Sequence, residues 1–105
     1  MGVSVMSQDQ SSEKWSLLLY VAGMTLTAKQ ALANIEKICH EHLEGRYSIE
    51  IIDLLQRPAV AETAQIFAVP TLVRQLPTPL RKLIGDLADS EKVLTGLDLQ
   101  SVLRK

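Results

Sequence analysis

One cysteine, Cys39, occurs in 105 residues, and that scarcity excludes more chemistry than any other feature of the composition. A lone thiol closes no intramolecular disulfide and builds no Cys-rich metal site. Aromatic residues are only 4% of the chain, so a core has to come from Leu, Ile, Val and Ala, and stacked aromatics for single-stranded nucleic acid are missing. The formal net charge of −1 gives no bulk attraction to nucleic acid or to an anionic membrane. The longest apolar runs fall far short of a membrane span. No Gly-rich phosphate loop or Ser-His-Asp arrangement is present, so no cofactor and no small-molecule substrate is expected. Met1 to Glu13 is polar and rich in Ser and Gln, unlike a secretory signal. It reads as a flexible tail, and the cytoplasm is the expected compartment.

What is there suits a single α/β domain over residues 14–105: 47% of the chain is hydrophobic, in runs of strand and helix length. Lys14 to Gly23 (KWSLLLYVAG) reads as a strand buried on both faces. Thr27 with Gln30 has the form of a capping box, and Ala28, Ala31, Leu32, Ile35, Ile38, Cys39 and Leu43 follow at helical spacing until Gly45. Tyr47 to Leu55 (YSIEIIDLL) reads as a second buried strand, parallel to the first because a helix joins them. Pro58 suits the first turn of a second helix with Val60, Ala61, Ala64, Phe67 and Ala68 on its apolar face. Thr71 to Leu76 and Leu80 to Ile84 fit an antiparallel pair around Pro77-Thr78-Pro79, and a helix from Ser90 onward closes the domain. The last third stays open between two readings. LRKLIGDL carries helical as well as strand spacing, Gly96 interrupts the final helix at a cost of about 1 kcal/mol relative to Ala, and KVLTGLDL also passes for a strand.

Several residues invite a chemical reading. Cys39 shares a helix face with Ile35 and Leu43, which makes it a buried structural thiol; a redox role would require exposure and a lowered pKa. His40 and His42 lie two apart and point to different sides of a helix, whereas a ligand pair requires a spacing of three or four. Asp53, inside an apolar strand, is expected to cap the turn around Gln56 to Pro58. Arg74, Arg81 and Lys82 belong to a mildly basic final third and are candidates for contact with an acidic partner. Arg81 and Lys82 are adjacent, so on a strand they face opposite ways.

The order βαβαββα, with Val-Pro-Thr opening the third strand and Gly85 ahead of the last helix, resembles a thioredoxin fold. In that superfamily the Pro is usually cis and sits beside a Cys-x-x-Cys loop. Here the equivalent loop, Ala22 to Thr27, has no thiol, so dithiol exchange is absent. Read together, YVAGMT, GRYSIEIIDLL, AVPTLVRQLP, LRKLIGDL and EKVLTGLDL resemble the KaiB family of clock proteins over about residues 16–99. The resemblance implies a non-enzymatic regulator that binds the ATPase KaiC, self-associates to a dimer or tetramer, and has two folds. One is thioredoxin-like; the other is a ground state that shares the N-terminal βαβ unit and packs its C-terminal part differently. It further implies that Gly96 and Asp98 bias the switch, and that Arg74, Arg81, Lys82 and Tyr47 contact partners. Gln30 and Glu50 stand where cyanobacterial clock members carry Arg and Lys, which fits a divergent member from a non-clock or reduced system rather than a KaiA-linked oscillator. Clock or clock-derived stress signalling is the function the resemblance implies. The alternative is a thioredoxin-like redox or stress-response protein that uses Cys39 alone.

Overall fold

The computed structural model describes residues 14–99. The expected tail 1–13 and the last six residues of the expected final helix lie outside that range. The elements run β1 (Trp15–Val21), α1 (Leu26–His42), β2 (Tyr47–Asp53), α2 (Pro58–Thr63), β3 (Thr71–Leu76), β4 (Arg81–Ile84) and α3 (Ser90–Gly96). They form one four-stranded sheet in the order β2-β1-β3-β4. β1 pairs parallel with β2 and antiparallel with β3, and β3 pairs antiparallel with β4.

β1 is central, fully buried on one face and buried at Tyr20 but half-buried at Ser16 and Leu18 on the other, as its largely apolar run suggests. Trp15, Leu17, Leu19 and Val21 meet α1, α3 and Leu72 on one side. Tyr20, with Leu18 beside it, meets Ile52, Ile66 and Val73 under α2 on the other. Each fully buried Leu or Val contributes roughly 1.5–3 kcal/mol by leaving water, so the larger cluster, on the α1 and α3 side, dominates stability.

β2 corrects its expected burial. It is an edge strand that ends at Asp53, and Ser48, Glu50 and Ile51 are exposed. A strand with one neighbour and an incompletely covered face keeps its β-branched residues without burying all of them. The cap of α1 also moves. Thr25, extended at φ −72° and ψ 172°, accepts the Ala28 N–H through Oγ1 at 3.1 Å. Thr27 lies one residue inside the helix rather than before it.

α2 is shorter than its apolar spacing suggests. Gln65 turns left-handed (φ 58°) while the Ile66 N–H reaches the Ala61 carbonyl and the Gln65 N–H the Glu62 carbonyl. That pair of bonds is a Schellman stop, which leaves Phe67 outside the helix and 90% exposed rather than on its apolar face. α3 ends the same way. The Leu99 N–H bonds to the Leu94 carbonyl and the Asp98 N–H to the Thr95 carbonyl, with Asp98 at φ 61°. The Val69–Pro70 bond is cis, as are Leu76–Pro77 and Thr78–Pro79.

In this packing the ambiguous segment 80–87 is a strand followed by a loop, and Gly96 faces that strand. A Cβ at Gly96 would lie 2.2 Å from Leu83 Cδ2 and 3.0 Å from its Cγ. Gly96→Ala therefore combines a gain of about 1 kcal/mol in helix propensity with a forced move of Leu83. The two changes are coupled: Gly96→Ala should be at least about 1 kcal/mol more favourable in a Leu83→Ala background than alone. A double-mutant cycle by urea unfolding measures this, and additive effects would contradict the contact.

Candidate functional site

Parallel pairing of β1 and β2, with β3 running the other way, brings four loops to one pole of the sheet: the end of β1, the end of β2, the entry to β3 and the exit from β4. Backbone and carboxylate bonds tie them together. The Leu54 N–H reaches the Val21 carbonyl at 2.8 Å, and the Gly85 N–H reaches the Pro70 carbonyl at 3.0 Å. Asp53 Oδ1 accepts the N–H groups of Gly23 and Leu55, each at 3.0 Å. The Asp53 carboxylate thus fastens the β1–α1 loop to the end of β2. This corrects the expected cap of the 56–58 turn, where the Asp53 backbone carbonyl, not its side chain, accepts from Gln56 and Arg57. Gly23 is required here: it sits at φ 79°, and a Cβ would come within 3.3 Å of Leu55 Cδ1.

On this frame stand Met24, Leu26, Leu55, Phe67, Val69 and Ile84, all exposed; Leu26, Leu55 and Ile84 are each about 70% exposed. Scattered surface Leu residues mean nothing, but six large exposed apolar side chains on the loops and element ends towards one pole are of the kind that marks protein contact. Sequence reasoning missed them because period-based reading assigns Phe67 to a helix face and ignores apolar residues in loops. The available signal was their position: Met24 lies in the loop after β1, Leu26 opens α1 and Leu55 lies two residues past β2.

The basic residues do not form one cluster. Arg74, expected at a partner-facing position, is 2% exposed in this packing and turned to the interior. Its Nη1 donates to the Leu97 carbonyl and its Nη2 to the Pro79 carbonyl (2.7 Å), with the guanidinium 5.2 Å above the Trp15 ring. Arg74 thereby joins β3 to the end of α3 and to the β3–β4 turn, one residue from both Gly96 and Asp98. Arg81, opposite Arg74 in the ladder, is exposed. Lys82 points to the other face, where Nζ donates to the Ala64 and Gln65 carbonyls at 2.9 Å each and so caps α2. Tyr47 begins β2 at the opposite edge of the sheet, half-buried against the main core, and is not brought together with Arg81 and Lys82.

Cys39 is fully buried in α1. Burial first, and the Glu36 carboxylate second, push its thiol up to about 12. That is the opposite of what a thiolate nucleophile requires. His40 is exposed and His42 half-buried, both in the last turn of α1. Among the described residues no helix is long and apolar enough to cross a membrane.

Known structures share this arrangement. The N-terminal domain of Synechococcus elongatus SasA superposes with a TM-score of 0.69 at 21% identity, over 84% of this chain and 86% of that one. A chloroplastic thioredoxin z superposes at 0.66 and 16% identity, over 95% and 90%. The fold is thioredoxin-like. In sequence, circadian clock protein KaiB3 of Synechocystis is 49% identical over 79% of this chain and 81% of its own length. The circadian clock oscillator protein KaiB of Microcystis aeruginosa is 51% identical over 79% and 80%, and that of Nostoc punctiforme 46% identical over 86% of both chains. With the KaiB domain model matching residues 18–99, the chain belongs to the KaiB family.

Proposed function

We propose that this protein is a non-enzymatic regulatory subunit that binds a KaiC-type ATPase, in a circadian clock or a clock-derived stress-signalling system of the cytoplasm. The observation that carries the reading is the exposed apolar pole of Met24, Leu26, Leu55, Phe67, Val69 and Ile84 on a thioredoxin-like frame whose first loop has no thiol. Such a surface supplies association energy by leaving water and has no group with which to turn over a substrate. The family's clock names support the same reading.

Two further elements of the proposal concern state. Self-association to a dimer or tetramer would use a second packing of the C-terminal third, with Gly96 and Asp98 as the balance point. The mixed periodicity of residues 80–99 favours such a balance, and so does Asp98, a non-glycine residue held left-handed at the end of α3. Gel filtration of the chain with a KaiC-type ATPase, with and without ATP, tests the binding. Phe67→Asp should weaken the complex at least tenfold while leaving thermal stability within about 0.5 kcal/mol, because the side chain is 90% exposed. A Phe67→Asp chain that binds like the parent would remove the pole from the interface.

A further inference from the structure

β4 ends the sheet, and among the described residues only β3 pairs with it. Its other side is a row of backbone donors and acceptors that a further strand could use. β3 and β4 together carry three cations, Arg74, Arg81 and Lys82, and no acidic residue. Arg74 is committed to the interior. Arg81 is exposed and makes no hydrogen bond or ion pair with any described residue. The Lys82 ammonium is met by two carbonyl dipoles and by no carboxylate. Leu80 and Ile84, flanking the pair, are 54% and 68% exposed. Among the described residues this edge therefore presents two cations lacking a counter-charge, followed by apolar residues, beside unused backbone bonds.

We infer that the outer edge of β4 docks an extended segment of a partner protein, in which two consecutive acidic residues lie opposite Arg81 and Lys82 and apolar residues lie opposite Leu83 and Ile84. Main-chain pairing supplies affinity, and the cross-strand pairs set register and choice of partner. A second copy of this chain is a poor occupant. Antiparallel pairing of two β4 strands sets Arg81 against Ile84 and Lys82 against Leu83, and gathers four cations within roughly 10 Å without an acid. The inference rests on the protein-binding reading above and names what this edge takes; it shares only Ile84 with the apolar pole.

The probe is an acetylated and amidated hexapeptide, Thr-Val-Ile-Glu-Glu-Thr, titrated into the isotopically labelled full chain and followed by amide chemical shifts. The largest shifts should fall on residues 81–84. Arg81→Glu, which removes an exposed side chain with no hydrogen bond or ion pair to a described residue, should weaken binding roughly tenfold. A peptide with Lys-Lys in place of Glu-Glu should prefer the Arg81→Glu chain. N-methylation of alternate peptide nitrogens should abolish binding by either chain, since it removes the ladder donors. Shifts centred on residues 47–53, binding indifferent to N-methylation or to Arg81→Glu, self-association instead of peptide binding, or no binding up to about 5 mM would each overturn the inference. These shifts are read without the ATPase, so loss of the ATPase complex with peptide binding intact would count against the functional reading alone.

Discussion

Replacing Arg74 by Leu should lower the stability of this fold by about 3 kcal/mol, with Arg81→Leu as a control that changes it by less than about 0.5 kcal/mol. The two side chains are cross-strand neighbours of the same kind, yet only Arg74 is buried. Its loss leaves the Leu97 and Pro79 carbonyls without their donors, at about 1–3 kcal/mol each, and removes the cation from the Trp15 ring. Relief from burying a guanidinium returns part of that, which sets the net figure below the sum. Arg74→Lys should recover at most half, because an ammonium cannot fork between two carbonyls. Urea unfolding gives the magnitude, and hydrogen exchange gives the place: α3, whose last turn Arg74 holds, should lose protection before β1 and β2. A loss below about 1 kcal/mol would mean that α3 docks without this bond.

The second large effect concerns Cys39. With its thiol held up to about 12, the thiolate population near pH 8 should be about a thousandfold below that of an ordinary cysteine, before access is considered. Iodoacetamide should therefore label the native chain at least about a thousandfold more slowly than the urea-unfolded chain. Rapid labelling of the folded protein would restore the single-cysteine redox reading. The same shift makes stability depend on pH. The unfolded thiol ionises near its ordinary value of 9.0, whereas the folded thiol keeps its proton to about 12. Across that window the native state binds more protons, so its stabilisation, complete below pH 9, is lost at up to about 1.4 kcal/mol per pH unit as pH rises. Cys39→Ser should flatten that slope.

Where residues bury on a regular period, sequence and structure agree. The unbroken run of β1, the 3.6-residue repeat of α1 and the Pro-rich turn between β3 and β4 are local signals, and each marks its element within about two residues. Agreement fails where neighbours decide. β2 has the composition of a buried strand but stands at the sheet edge, and nothing within Tyr47 to Asp53 says which strand will lie outside it. Phe67 falls at helical spacing from Val60 and Ala64, but the left-handed turn at Gln65 ends α2 first. A hydrogen-bonding stop at a non-glycine residue leaves no compositional mark.

The candidate surfaces divide in the same way. Adjacency alone puts Arg81 and Lys82 on opposite faces, because strand geometry alternates side chains. That Arg74 turns inward to two carbonyls, while its cross-strand neighbour Arg81 turns to solvent, depends on where α3 lands. Residue identity and short-range spacing were enough for the βαβ unit, for a loop without a thiol after β1 and for the family, whereas the burial that raises the Cys39 thiol came from packing. Which cations are exposed, and which exposed apolar residues lie towards one pole of the sheet, came from the tertiary structure. Both depend on strand order and helix docking, which arise from packing between segments distant in sequence.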